Sequence, residues 1–307
     1  MKNLLRSLLL QEDLNFLLTN RVPRIALTRF MGWFSKIRNP VVCRLSIATW
    51  KLFTDLDLSD ARKRRFDSLH DCFTRELVPG ARPVDPDPGV LTSPCDAIVG
   101  ACGSAAGTEV FQAKGFPYRM EELFGPSNDV APYRDGTYVT LRLTSAMYHR
   151  FHAPQDLAVE HVTYHSGDAW NVNPIALKRV ERLFCRNERA VLRTRLARGG
   201  HPVAIVPVAA ILVASLRLKF LDVLLHLRYK GPNEISLAGH PARFAKGEEM
   251  GWFQHGSTII VFAPRGFELH ESIVPGARLR MGQPLMRLPA MAAAPPRATA
   301  GEAVLAG

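Results

Sequence analysis

The sequence predicts an α+β protein in which N-terminal membrane-associating helices precede a β-rich, barrel-sandwich-like catalytic body. Two observations predict this fold: apolar residues at helical spacing early in the chain, and later short runs of Val, Ile and Leu punctuated by Pro and Gly. With 307 residues, 47% of them hydrophobic, the chain can bury a full core. We expect a helical region over 1–75, a β-rich domain over 76–288 and a disordered Ala/Pro-rich tail over 289–307.

The segment 21–39 reads as a basic amphipathic helix with aromatic residues on its apolar face. Residues 1–50 hold eight Lys or Arg and only two acids. Such a helix fits an interfacial membrane anchor, and the alternative is a helix that packs on the core with a solvated basic face. The membrane-binding residues that we predict are Arg24, Leu27, Arg29, Phe30, Trp33, Phe34 and Ile37.

The net charge of +11 favours an anionic partner, which is nucleic acid, an acidic substrate or an anionic membrane. The uncharged run from Val203 to Leu216 contains Pro207 and is shorter than the roughly 20 residues of a spanning helix. We therefore expect any membrane contact to be peripheral. The five cysteines are scattered without a CxxC pair, so we expect neither a disulfide framework nor a metal site.

The body after residue 76 is predicted mainly as short strands separated by turns. The runs that predict strands are AIVGACG, TYVTLRL, LAVEHVTYH, PVAIVPVAAILVASL and STIIVFA. A helix is expected over 174–186, with Pro174 at its start. The segment 275–288 is expected to form a turn, a strand and a turn, as in compact barrel-like sandwiches.

Three local features carry residues that are able to do chemistry. Asp96 follows a Pro turn, His149 and His152 lie three residues apart in YHRFHAP, and Ser257 lies within Gly-Ser-Thr before an apolar run. Each also has an ordinary interpretation: a turn aspartate, a pair of structural histidines and a serine at a strand start. Together they suggest a serine hydrolase, although the GxSxG elbow of hydrolases is missing from the sequence.

The motifs resemble those of the phosphatidylserine decarboxylase proenzymes, in that family's order, from about residue 20 to 288. Any one block is weakly specific, but seven in order are highly specific. The matching blocks are FTRELVPGARPVD, SPCDAIVG, QAKGFPYRMEELFG, YHRFHAP, WNVNP, LFCRNERAVL and KGEEMGWFQHGSTIIVF.

The resemblance implies that Ser257 is converted into the cofactor. In that family the serine hydroxyl attacks the preceding carbonyl, here that of Gly256, and β-elimination then releases the upstream chain. Hydrolysis leaves a covalent pyruvoyl group at position 257, which acts as an electron sink for decarboxylation. The resemblance assigns His152, oriented by Asp96, as the base, and His149 as proton donor or substrate positioner. Thr258 or backbone N–H groups are expected to stabilise the oxyanion.

The resemblance also implies the partners and the location. The substrate is expected to be phosphatidylserine in an anionic membrane, and the mature enzyme a heterodimer of chains 1–256 and 257–307, with a homodimer possible and no nucleic acid. The expected location is peripheral, on the cytoplasmic face of a bacterial cell membrane, or the mitochondrial inner membrane in a eukaryote. The alternatives are a decarboxylase of another serine-headed lipid, a hydrolase using Asp96, His152 and Ser257, and a non-enzymatic lipid-binding protein.

Four positions depart from the family pattern. An alanine follows the motif aspartate, two alanines replace glycines in the strand region after residue 207, and a histidine precedes Gly-Ser-Thr. We expect these departures to alter substrate fit or the rate of self-cleavage, since the predicted catalytic residues are all retained. The departing residues are Ala97, Ala209, Ala214 and His255.

Overall fold

The computed structural model describes residues 12–20, 22–113, 116–126, 128–212, 215–221, 224–226, 229–254 and 257–290. The longer helices all lie near the N-terminus. The helices are α1 (Glu12–Asn20), α2 (Arg24–Phe34), α3 (Pro40–Phe53), α4 (Leu69–Phe73), α5 (Met120–Phe124), α6 (Pro174–Leu177) and α7 (Leu183–Arg186), with a 3-10 turn at Ala131–Tyr133. Helix α3 begins with Pro40 after Asn39, whose side chain accepts the N–H groups of Val41 and Val42.

Strands make up most of the rest of the described chain. In order they are β1 (Val90–Thr92), β2 (Ala97–Ser104), β3 (Glu109–Ala113), β4 (Phe116–Arg119), β5 (Thr137–Leu143), β6 (Arg150–His152), β7 (Leu157–His165), β8 (Arg189–Leu196), β9 (Pro202–Ala209), β10 (Ser215–Leu218), β11 (Leu224–His226), β12 (Glu234–Ser236), β13 (Ala242–Phe244), β14 (Glu249–Phe253), β15 (Ser257–Ala263), β16 (Glu268–Leu269), β17 (Arg278–Leu279) and β18 (Pro284–Arg287). The prediction of an α+β protein with a strand-rich body is confirmed.

The largest sheet has nine strands, and β15 lies in its interior. The strand order is β12-β7-β8-β9-β15-β5-β2-β17, with β13 also paired to β7. All seven residues of β15 are buried, because side chains of alternate residues enter two different cores. Ile259 and Val261 pack into one core, whereas Ile260 and Phe262 pack into the other, under α5, α6 and α7.

A second sheet has the order β11-β10-β14-β6, and its strand β14 is followed in the chain by β15. Strand β14 ends at Phe253 and β15 begins at Ser257 in the other sheet. The connection between them is therefore only three residues long, 254–256. A third sheet, β1-β18-β16, holds the end of the described chain against the body.

The helix expected over 174–186 was wrong as a single element. The structure has two short helices, α6 and α7, and Arg182 between them adopts a left-handed backbone with φ of 52°. The side chain of Gln112 fills the break: its Nε2 donates to the carbonyls of Leu177 and Val180, and its Oε1 accepts the N–H of Leu183. A long-range amide thus satisfies backbone groups that a continuous helix would pair internally.

Two further expectations concern the chain ends. Helix α2 ends at Phe34, so Ile37 lies outside it in the connection to α3. Within the described ranges, no helix is both long and apolar enough to cross a bilayer. The tail predicted over 289–307 falls almost entirely on residues 291–307, which lie outside the described residues.

Candidate active site

A cavity of about 770 Å³ separates the N-terminal helices from one end of the nine-stranded sheet. Its helical wall is mostly apolar and includes Phe34 of α2, Leu45 and Trp50 of α3, and Phe73 of α4. Its other wall is formed by the ends of β5 and β15 and by the loop after β9. An apolar cavity with a few convergent polar groups is the usual form of a ligand site.

Ser257 lies on the sheet wall of this cavity, at the first position of β15. Its backbone is held on both sides, opposite Leu143 of β5 and Ala209 of β9. The side chain is fully buried, and its hydroxyl has no hydrogen-bond partner among the described residues. Burying an unpaired hydroxyl costs about 1–3 kcal/mol of folding free energy. An apolar residue at this strand position would avoid that cost, so the serine is not explained by stability.

His152, at the end of β6, is a neutral imidazole held from both sides. Its Nδ1 lies 2.9 Å from the carbonyl oxygen of Gly247, so Nδ1 carries the proton, and Nε2, 3.0 Å from the Tyr148 hydroxyl, accepts from it. Gly247 presents that carbonyl from a backbone with φ of +82°, a conformation that favours glycine. Burial lowers the pKa of His152, which keeps the ring unprotonated and able to act as a base.

Asp96 does not hydrogen-bond to His152, which corrects the expectation that Asp96 orients this ring. Its carboxylate is occupied by Arg82, with Nε 2.8 Å from Oδ1 and Nη2 2.6 Å from Oδ2, and Oδ1 also accepts the N–H of Met281. The guanidinium of Arg82 in turn lies over the ring of Tyr148, 5.9 Å from its centroid. Asp96 therefore acts on His152 through its negative charge, which opposes part of the effect of burial on the pKa of that ring, and through the chain of contacts made by Arg82 and Tyr148.

His149 is fully buried, just before β6, and faces the cavity side of the molecule through Phe73. The two ring centroids are 3.9 Å apart, and Nδ1 of His149 lies 2.8 Å from the carbonyl of Met147. Its own carbonyl accepts the N–H of Phe253, the last residue of β14. His149 is thus tied to the strand that leads to the Gly256–Ser257 bond.

Sequence reasoning missed Glu188, a buried acid at the same end of the sheet. Its carbonyl accepts the N–H of Ala209, which pairs in turn with Ser257. Neither carboxylate oxygen makes a hydrogen bond of normal geometry with a described residue. Burial raises the pKa of Glu188 to about 8, and the nearby Tyr164 hydroxyl offsets this only in part. The residue lay within the quoted block LFCRNERAVL, but its burial is a product of the fold.

The predicted membrane-binding residues separate into two groups. Arg29, Phe30 and Trp33 are exposed, whereas Leu27, Phe34 and Ile37 are half-buried. Arg24 is corrected: its Nε donates to Asp168 at 3.1 Å and its guanidinium stacks on Trp170, so it fastens α2 to the body. Sequence reasoning missed further large apolar side chains that are exposed on or near these helices, namely Ile25, Val41, Leu45, Leu52 and Phe53.

Some predicted features cannot be placed. Gly256, half of the predicted cleavage site, and two of the four departing residues, His255 and Ala214, lie outside the described residues. Ala97 and Ala209 are buried. Over the part of the chain that the structure describes, no group of three or more His, Cys, Asp or Glu side chains is arranged to hold a metal ion.

Comparison with known proteins assigns the class of enzyme. Residues 69–287 match a family model described as phosphatidylserine decarboxylase. A protein of Brevibacillus brevis named phosphatidylserine decarboxylase proenzyme is 33% identical over 272 residues, covering 87% of this chain and 95% of that protein. One of Aliivibrio salmonicida with the same name is 32% identical over 297 residues, covering 91% and 99%. These are decarboxylases made as proenzymes.

The chain belongs to the phosphatidylserine decarboxylase family.

Proposed function

We propose that the protein decarboxylates phosphatidylserine to phosphatidylethanolamine and CO₂, using a pyruvoyl group that it makes from Ser257 by cleaving its own Gly256–Ser257 bond. The observation that carries this proposal is the Ser257 hydroxyl, which is buried without a partner beside an apolar cavity large enough for a lipid headgroup. A cofactor built from the chain itself needs its precursor residue in such a position.

The proposed self-cleavage uses Ser257 as nucleophile and His152 as base. His152 Nε2 takes the hydroxyl proton, Oγ attacks the Gly256 carbonyl, and the amide becomes an ester with a free amine at residue 257. Elimination of the ester releases the chain that ends at Gly256 and leaves a dehydroalanine at residue 257. The dehydroalanine tautomerises to an imine, and water then hydrolyses the imine, supplying the keto oxygen of the pyruvoyl group and releasing ammonia. The Tyr148 hydroxyl, 3.0 Å from Nε2, holds the ring until the serine approaches.

The surroundings of Ser257 fit a pyruvoyl group. The buried hydroxyl of Ser257 has no partner among described residues, so its conversion to a pyruvoyl group breaks no hydrogen bond. When present, the group supplies an electron sink for the charge left by departing CO₂. His149 lies behind Phe73 on the cavity wall, where we propose that it moves or holds a proton during decarboxylation.

The cut protein is proposed to remain a heterodimer of residues 1–256 and 257–307. Strand β15 pairs with β9 and β5, β17 with β2, and β18 with β1. The small chain is therefore held in the body of the protein by three strands. This pairing also fixes the new N-terminus at residue 257, which a catalytic group requires.

Helices α2 and α3 are proposed to bind an anionic membrane, as expected at the cytoplasmic face of a bacterial cell. Trp33 and Leu45 are each 64% exposed, and Arg29, Lys36 and Arg44 are exposed on the same helical region. Leu45 also lines the cavity, so the exposed apolar surface continues into the site. A lipid substrate can then enter without crossing water.

The hydrolase alternative gains no support from the geometry. Ser257 is not hydrogen-bonded to His152, and Asp96 is paired with Arg82 in place of His152. Self-cleavage also requires Ser257 to approach His152, so the two functions are separated by the products that the protein forms and not by this contact.

The test is turnover of short-chain phosphatidylserine, with CO₂ and phosphatidylethanolamine measured together. We expect the wild type to form both products in equal amounts and Ser257→Ala to form neither. Release of free fatty acid or serine by the wild type, without CO₂, would contradict the proposal.

A further inference from the structure

Arg142 is the one charged side chain among the described residues that line the cavity at Ser257. It lies near the end of β5, opposite Thr258 of β15 on one side and Ile98 of β2 on the other. Arg142 and Thr258 form a cross-strand pair one position along from Ser257. Strand alternation directs the side chains of Arg142 and Ser257 to opposite faces of the sheet, and both residues line the cavity at the end of that sheet.

Arg142 has no carboxylate partner within the described ranges, and its Nε makes no hydrogen bond. Two other arginines of the interior are paired with acids. Arg82 contacts Asp60 and Asp96, and Arg150 contacts Glu249. Burial alone lowers the pKa of Arg142, with no neighbouring acid to oppose it. An unpaired cation in an apolar cavity is costly unless a ligand supplies the counter-charge.

We propose that Arg142 binds the phosphodiester of the phospholipid substrate and so positions the headgroup at residue 257. This inference rests on the proposed function for the identity of the substrate. A planar guanidinium presents paired N–H donors that match phosphate oxygens, and it remains charged when buried. Thr144 and Ser145, which continue the chain beyond β5 along the cavity wall, supply hydroxyls beside it.

The substrate has a second anion, its carboxylate, but the chemistry favours the phosphodiester as the partner of Arg142. Decarboxylation removes negative charge from the carboxylate as the carbon–carbon bond breaks. A cation held on that carboxylate would stabilise the bound substrate more than the transition state and would slow the reaction. The phosphodiester keeps its charge throughout, so binding it improves affinity without this penalty.

The experiment measures lipid binding by the full chain carrying Ser257→Ala, which cannot form the cofactor. Titration calorimetry uses monomeric dihexanoyl phosphatidylserine, dihexanoyl phosphatidylethanolamine and dihexanoylglycerol. We expect Arg142→Met in this background to weaken binding of both phospholipids by about 10- to 100-fold and to leave dihexanoylglycerol unchanged. Arg142→Lys is expected to recover part of the loss.

Arg193→Met is the matched control, because Arg193 is a half-buried arginine of β8 in the same sheet whose Nε also lacks a partner among described residues. It does not line the cavity and should leave binding unchanged. A loss confined to phosphatidylserine would assign Arg142 to the carboxylate, and no loss for either phospholipid would remove it from the site. Both outcomes overturn the proposal.

A second readout separates this proposal from the proposed function. In the cleaved enzyme, Arg142→Lys should raise KM with little change in kcat, as expected when binding is lost equally from substrate and transition state. If the wild type fails to decarboxylate phosphatidylserine but the calorimetry behaves as expected, only the proposed function fails. If the wild type turns over and Arg142→Met binds both phospholipids normally, only the role of Arg142 fails.

Discussion

The two walls of the cavity at Ser257 leave different kinds of groups unsatisfied. On the sheet wall these are polar atoms without partners among the described residues: the hydroxyl of Ser257 and the Nε of Arg142. On the helical wall they are apolar side chains. Helices α2 and α3 expose Phe30, Trp33 and Val41 to solvent on their outer surface. The sheet wall is held by strand pairing and buries unpaired polar atoms at a cost in folding free energy. The helical wall is apolar, as a lipid chain requires. The candidate catalytic residues and the exposed apolar surface thus lie on separate elements of the molecule.

The largest expected effect tests the two histidines of the candidate site, His149 and His152. His152→Ala should slow self-cleavage by about 10²- to 10⁴-fold, because a serine hydroxyl is a poor nucleophile without a base. A denaturing-gel time course measures this directly. Since burial lowers the pKa of His152, the wild-type rate should begin to fall only below the ordinary histidine pKa of about 6.5.

His149→Ala is the control for this experiment. It should still cleave but should lose decarboxylation, because His149 is proposed to act only in the second reaction. If His152→Ala cleaves at the wild-type rate, the base has been assigned to the wrong residue. If His149→Ala decarboxylates normally, the division of labour between the two histidines is wrong.

A smaller effect tests the cost of burying polar groups at this end of the sheet. The pKa of Glu188 is about 8 in the folded protein, above its value in the unfolded chain. Its contribution to the free energy of unfolding is therefore fully present at low pH and is lost as the pH rises through about 8. Glu188→Gln stays neutral and should remove this pH-dependent loss, which is on the order of 5 kcal/mol for a pKa shift from 4.5 to about 8.

Thermal unfolding of the uncleavable Ser257→Ala chain, with and without Glu188→Gln, provides the measurement. The melting temperature of the parent should fall more steeply between pH 5 and pH 9 than that of the variant. Parallel curves would mean that Glu188 is ionised in the folded protein, and the sheet wall would then be less desolvated than its burial indicates.

The smallest effect tests the helical wall. Replacing both Phe30 and Trp33 with Ser should weaken flotation with anionic liposomes by about tenfold or more, through loss of buried apolar area. Activity on monomeric short-chain lipid should be preserved, because neither residue lines the cavity. Phe111→Ser, which removes an exposed aromatic from β3 of the body, is the control and should float normally. Equal losses for both variants would contradict a localised membrane surface.

The sequence predicted the strand-rich body and a helix within 21–39, because both follow from local periodicity, whereas membrane contact by that helix stays a prediction. It did not predict contacts between distant segments. Gln112 splits the helix expected over 174–186, Arg24 is fastened to Asp168, and Asp96 is taken by Arg82. Gln112 and Arg24 contact residues that are distant in sequence, and the Arg82–Asp96 pair depends on how the two side chains meet in the fold. The periodicity of a single segment contains no information on either.

The candidate site shows the same limit. The residue types at 96, 149, 152 and 257 followed from motif resemblance, whereas the cavity, Arg142 and Glu188 emerged only when strands β5, β8, β9 and β15 were brought side by side. Register places Glu188 beside Ala209, and Ala209 beside Ser257. Such neighbours are set by strand pairing over long sequence separations, and no single segment carries the signal.

The most direct test of the account is the intact mass of the purified protein under denaturing conditions. We expect two chains, residues 1–256 and 257–307, with the smaller chain lighter by one ammonia than an N-terminal serine would make it and resistant to amine-reactive reagents. Ser257→Ala should give one uncut chain. A wild-type protein that decarboxylates phosphatidylserine while remaining a single chain, or that is cut at another bond, would contradict the central claim.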